Sequence, residues 1–193
     1  MKKLIILILA ALMAAPAWAG GTYRKDRREN RFLGLSITAS APVSLYGNPD
    51  YRTQGFGAEA LIGVDFAHRV TDNFALGLYA MIGGGPVFSR RIYADDNSVD
   101  WNSAKPGINL KAGLLMLAGD INDKPYIIGI APCSGFCFSN PSIYLPAEVR
   151  FGRVVTEGLY LTGNLAFGVP LGYNDGTGHS LIIEPSFTLG FRF

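Results

Sequence analysis

The stretch Ser180–Phe193 alternates with a period of two. Leu181, Ile183, Phe187, Leu189, Phe191 and Phe193 share one register, interrupted by Pro185, while Ile182, Glu184, Ser186, Thr188, Gly190 and Arg192 share the other. A period of two means a strand with one apolar and one polar face. The run is long for a soluble strand, where about 3–10 residues is usual. It suits a tilted strand that crosses a bilayer, which takes about 9–11 residues. An edge strand of a soluble sandwich alternates in the same way, so the rest of the chain has to decide between the two.

The amino-terminal end points to export. Lys2 and Lys3 precede an apolar run from Leu4 to Ala15, and Ala17-Trp18-Ala19 precedes Gly20. A basic region, a short apolar region and a small-x-small site describe a secretory signal peptide, residues 1–19, cut after Ala19. The apolar region is too short and wrongly flanked for a transmembrane helix. No cysteine stands at the cut, which excludes a lipoprotein. Without Lys2 and Lys3 the 17 basic residues become 15, equal to the 15 acidic ones. A neutral mature chain gives no reason to expect nucleic acid as a partner. Its length is that of one domain. Later apolar runs are broken by Gly or charge, yet the sequence is 49% hydrophobic with 24 glycines. An exported, apolar, helix-poor chain is accounted for by a β-barrel in lipid, because a closed sheet satisfies every backbone group there.

Residues 20–31 are polar and basic without periodicity and read as a periplasmic lead-in; contact of its arginines with anionic headgroups is the functional alternative. Eight alternating stretches follow, near 32–41, 55–67, 74–83, 107–119, 125–131, 143–155, 159–169 and 180–193. The fifth is apolar on both registers. The connections between them run long, short, long, short, long, short, long, with Thr71-Asp72-Asn73, Asp120–Lys124 and Thr156-Glu157-Gly158 as the short turns. The longest connection is 84–106. One-sided asymmetry of this kind is the rule in outer-membrane barrels, whose periplasmic turns are short and whose extracellular loops are long.

Alternation does not say which face is wet, but composition does. The polar register holds Glu59, Asp65, Lys111, Glu148, Arg150, Glu184 and Arg192, and also Gly34, Gly57, Gly63, Gly77, Gly113, Gly152, Gly168 and Gly190. Glycines and long charges on one face fit a narrow lumen, where the glycines leave room for a few long side chains. The opposite face is Leu, Ile, Val, Phe and Ala, which suits lipid. Glu59, Lys111, Glu148 and Glu184 lie at similar offsets from the long loops. With Arg150 and, lower down, Arg192, they form the expected lumen polar network, since buried charges must be paired or hydrated. Eight strands enclose only a side-chain-filled interior, so the expectation is a plugged barrel and not a pore.

On these residues the chain, from Phe32 to Phe193, resembles the small eight-stranded outer-membrane barrels of the OmpA-like, OmpX-like and OmpW-like kind. The resemblance implies an all-β, antiparallel, up-and-down transmembrane barrel over 32–193 in the bacterial outer membrane, surrounded by outer-membrane lipid and lipopolysaccharide. It also implies that the aromatic ending, Phe191 and Phe193, is read by the barrel-assembly machinery. Members of the class serve as anchors, adhesins, stability proteins, small-solute passages or lipid-modifying enzymes. The first expectation is a non-enzymatic barrel with a structural or surface-interaction role. A lipid-modifying enzyme and a narrow passage for small solutes are the alternatives.

Few residues offer chemistry, and no cofactor or metal is expected. His68 falls in a periplasmic turn and His179 at an extracellular loop end, too far apart to share a site. His179-Ser180, near Glu184, resembles the His and Ser of the lipid A deacylase barrels. There the two are separated by one residue and face lipid; here they are adjacent, so on a strand they diverge. Cys133 and Cys137 bracket Ser134-Gly135-Phe136 in a loop, where an exported setting favours a disulfide over free thiols or a metal pair. In the 84–106 loop, Arg90, Arg91, Tyr93 and Trp101 are candidate contacts for an extracellular partner, or part of a solvated loop. Gly83-Gly84-Gly85 precedes no helix and is not a phosphate loop.

Overall fold

A computed structural model of the chain describes residues 31–47, 49–137, 143–144, 146–168, 170–171 and 179–193. The expected signal peptide and nearly all of the expected lead-in lie outside these residues; Arg31 already belongs to the first strand. Twelve strand segments run in chain order: β1 Arg31–Ser40, β2 Val43–Gly47, β3 Tyr51–Gly57, β4 Glu59–Thr71, β5 Phe74–Tyr93, β6 Val99–Ala118, β7 Tyr126–Cys137, β8 Ile143–Tyr144, β9 Ala147–Thr156, β10 Leu159–Gly168, β11 Pro170–Leu171 and β12 His179–Arg192. They build eight walls. β1 with β2, β3 with β4, β8 with β9 and β10 with β11 each make one, and β5, β6, β7 and β12 are walls by themselves.

All pairings are antiparallel. Around the ring β1 pairs β4, β4 pairs β5, β5 pairs β6, β6 pairs β7, β7 pairs β9, β9 pairs β10 and β10 pairs β12. The ring closes where β12 pairs β1, from Gly34 opposite Arg192 to Ser40 opposite Ser186. Closure removes the sheet edges that lipid would leave unsatisfied. Prolines gather at one level of the wall. Pro86 stands opposite Pro106. The break between β1 and β2 holds Pro42, whose carbonyl accepts from the Gly57 amide at 2.8 Å. A residue without an N–H interrupts the ladder; β1 gives way to β2 at Pro42, while β5 and β6 run on through Pro86 and Pro106.

The two faces have opposite character. Leu33, Ile62, Val64, Leu76, Leu78, Ile82, Leu110, Leu114, Val149, Phe151 and Phe187 are exposed on the outside. Asp65, Asn109, Lys111, Glu148, Arg150, Glu184 and Thr188 are each 0% exposed inside. This inverts a soluble protein and settles the wet-face question as the sequence composition implied. Apolar residues also enter the interior, mostly toward the end where β1 begins: Phe32, Ala75, Leu115, Leu117, Ile121 and Ile127 are buried together. Tyr160 needs a hollow there. A Cβ on Gly190 would overlap its ring, and one on Gly34 would sit 2.6 Å from its hydroxyl. No described helix is long and apolar enough to cross a membrane.

The strands run further than alternation implies. β5 and β6 continue well into the 84–106 connection, and their hairpin turns over only residues 94–98, with Asn97 at φ 56°. Residues 43–47 and 51–57 are likewise strand and not loop. At the opposite end the turns are short, and Arg69 clasps two of them through Asp72 at 2.5 Å and Asn122 at 3.0 Å. His68 lies within β4 and not in a turn.

Candidate functional site

The interior network separates into two clusters. In the lower one, Arg150 on β9 reaches across the lumen to Asp65 on β4 in a two-pronged pair, Nη1 to Oδ1 at 2.8 Å and Nη2 to Oδ2 at 3.0 Å. Its Nε donates to the Thr162 hydroxyl at 2.9 Å. Tyr160 donates to the second Asp65 oxygen. The guanidinium also lies 5.2 Å from the Tyr79 ring centroid and 6.0 Å from that of Tyr160. A chain of small polar groups continues from it: Thr162 to Asn164, Asn164 to Ser186 and Thr188, and Thr188 to Thr38. The fork of an arginine fits a carboxylate in this manner, and the pair is charge-assisted.

The upper cluster is built on Lys111 of β6. Its ammonium pairs with Glu148 of β9 and, at 2.7 Å, with Glu184 of β12. Ser40 donates to Glu184, and the Tyr79 hydroxyl donates to Glu148 at 3.1 Å. Asn109, two residues before Lys111 and hence on the same face, donates its Nδ2 to Glu59 Oε2 and to Glu184 Oε1, both at 3.1 Å. Tyr79 touches both clusters and joins them.

Of the residues expected in the network, Glu59, Lys111, Glu148 and Glu184 meet at one level. Arg150 is buried and pairs with Asp65. Arg192 lies apart, its guanidinium 5.6 Å from the Phe32 ring centroid near the opposite end of the lumen. The sequence reading placed Asp65 on the wet face without assigning it a partner, and it overlooked Tyr79 and Tyr160. The signal was available: two tyrosines on the glycine-rich register are the aromatic donors a crowded polar interior needs.

The remaining candidates sit elsewhere. Arg90 and Trp101 are cross-strand partners on the β5–β6 hairpin, with the guanidinium 5.7 Å from the indole ring. Trp101 is 61% exposed and packs edge-on against Phe56, which stacks on Phe88. Arg91 lies 4.4 Å over the Tyr51 ring, and Tyr93 is the backbone partner of Tyr51. These residues belong to strands, so the loop expected to hold them is corrected to a paired β-hairpin. At its tip, hydrogen bonds from the Ser98 hydroxyl and amide hold the Asp96 carboxyl below the usual carboxylate range.

The cysteine pair also needs correction. Cys133 and Cys137 lie in β7 and not in a loop, opposite Ala112 and Ile108 in regular register. His179 and Ser180 open β12 opposite Gly47 and Tyr46. Among the described residues, no three His, Cys, Asp or Glu side chains form a metal-binding group.

No protein-family model and no curated protein matches the chain. Among solved structures it is similar to the outer membrane protein OprG from Pseudomonas aeruginosa, with 11% identity and a TM-score of 0.46 over 85% of this chain and 96% of that one. It is also similar to Ail, the attachment invasion locus protein of Yersinia pestis, with 9% identity and a TM-score of 0.38 over 83% and 98%. The outer membrane protease OmpT from Escherichia coli shares 10% identity, with a TM-score of 0.37 over 86% and 96%. Likenesses this distant bear on neither activity nor ligand. The wall itself is apolar outside, polar inside and closed, which is the construction of a bacterial outer-membrane barrel.

Proposed function

We propose that the protein is a non-enzymatic outer-membrane barrel with a sealed lumen, serving a structural and surface-interaction role. The observation that carries this reading is the crossing of the interior by Arg150–Asp65 and by Lys111 with Glu148 and Glu184, all 0% exposed. Ion pairs spanning the lumen hold opposite walls together and occupy the space a solute would need. The β5–β6 hairpin, with Arg90 and Trp101 outward, supplies a stiff contact surface at the extracellular end. Its partners in this reading are the surrounding outer-membrane lipid and lipopolysaccharide, and an extracellular molecule. Phe191 and Phe193, at the seam with β1, would be the groups met by the barrel-assembly machinery. Two measurements test the proposal. Planar bilayers containing the folded protein are expected to show no stable conductance steps, and lipid A from expressing cells is expected to keep its mass. Steady conductance would favour the small-solute passage; a changed lipid A mass would favour the lipid-modifying enzyme.

A further inference from the structure

The two lumen clusters differ in charge balance. Asp65 meets Arg150, one carboxylate to one guanidinium. Above them Glu59, Glu148 and Glu184 share the single ammonium of Lys111, which bonds two of them directly. Among the described residues, and with every carboxyl ionised, the upper cluster carries a surplus of two negative charges on groups that are at most 5% exposed. Uncompensated buried charge is among the costliest arrangements a protein can contain.

The same cluster is short of donors. Glu59 Oε1, Glu184 Oε2 and the amide oxygen Oδ1 of Asn109 are buried without a hydrogen-bond partner. Glu59 is 5% exposed, and Asn109 and Glu184 are 0% exposed. The Asn109 amide stands between the two carboxylates, since its Nδ2 reaches both. The neighbouring donors are engaged: the Ser40 hydroxyl with Glu184, the Tyr79 hydroxyl with Glu148.

We propose that a hard divalent cation of the alkaline-earth class binds in the upper lumen, taking oxygen from Glu59, Asn109 and Glu184. The donors are all oxygen, with neither thiol nor imidazole among them, and that set selects magnesium or calcium over softer metals. A charge of +2 equals the surplus; a monovalent ion leaves half of it. Two carboxylates and one amide leave the other coordination positions to water. So sparse a set suits the weak binding of extracellular modules, with a Kd of about 10⁻⁴–10⁻³ M. The ion would tie β4, β6 and β12 together beside the ion pairs already there.

The mature barrel, folded in a zwitterionic detergent and freed of metal with EDTA, provides the test. Its thermal midpoint is followed by gel mobility while CaCl2 or MgCl2 is added at constant ionic strength set with KCl. The midpoint is expected to rise saturably with either divalent cation and not with potassium, and equilibrium dialysis is expected to find one calcium per barrel. Glu59→Gln keeps the shape, removes the charge and should abolish both the rise and the bound calcium; Glu184→Gln is the second variant. A wild-type midpoint indifferent to divalent cations overturns the proposal. So does a Glu59→Gln barrel that responds as the wild type does, because the ion then binds elsewhere. A midpoint that moves only with acidification also overturns it, because protons then neutralise the surplus.

Discussion

The lower and upper halves of the lumen solve one problem in two ways. Below, Asp65 is met on both oxygens by Arg150 and again by Tyr160, and the Arg150 Nε donates to Thr162. Above, a lone ammonium serves Glu148 and Glu184 while acceptors on Glu59, Asn109 and Glu184 stay without donors. The lower cluster leaves no carboxylate oxygen without a donor. The upper one does. In a buried polar interior, incompleteness is therefore more informative about binding than charge density, because a closed network has nothing to exchange.

The contrast is broken most severely from the upper side. Lys111→Met removes the only counter-charge that the described residues place among the three carboxylates and is expected to cost at least about 3–5 kcal/mol, as breaking a buried pair does, read as a lowered midpoint in urea unfolding from lipid vesicles. Arg150→Met should cost about 3–5 kcal/mol for the same reason, since Asp65 is left buried without a counter-charge. The double variant Asp65→Asn with Arg150→Met should recover most of that loss, because no isolated charge remains. Failure to recover would show that Arg150 acts through Tyr79 and Thr162 more than through Asp65.

Packing gives a smaller effect. Gly190→Val drives side-chain atoms into the Tyr160 ring and should destabilise by about 1–3 kcal/mol, as overpacking does. Smallest is Trp101→Ala at the exposed hairpin, expected to change stability within about 0.5 kcal/mol. Any loss it causes should appear in surface contact, measured as adhesion or lipid binding by cells carrying the variant.

Alternation made the eight walls and their polarity legible, because lipid and lumen impose opposite demands on successive residues. It was less informative where those demands end. From Ser89 to Trp101 the two faces no longer differ consistently in hydrophobicity, so a strand there looks like a loop, and Arg90, Arg91, Tyr93 and Trp101 were placed accordingly. Cys133 and Cys137 suffered the same misplacement. The register placed Glu59, Lys111, Glu148 and Glu184 together because equal offsets from a barrel's rim mean equal depth. It did not show that Arg150 turns to Asp65. That choice depends on which wall lies opposite, which is a property of closure and not of any single strand.

All of these readings depend on which solvent meets each face of the wall. Spin labels placed singly along β5 at Leu76, Leu78, Tyr79, Met81 and Ile82, in a background where Cys133 and Cys137 are serine, report that directly in reconstituted bilayers. Labels at Leu76, Leu78 and Ile82 should be relaxed by oxygen and shielded from a water-soluble nickel chelate, while Tyr79 and Met81 should be inaccessible to both. Nickel access at Leu78, or oxygen access at Tyr79 equal to that at Leu78, would contradict an apolar wall around a sealed polar interior.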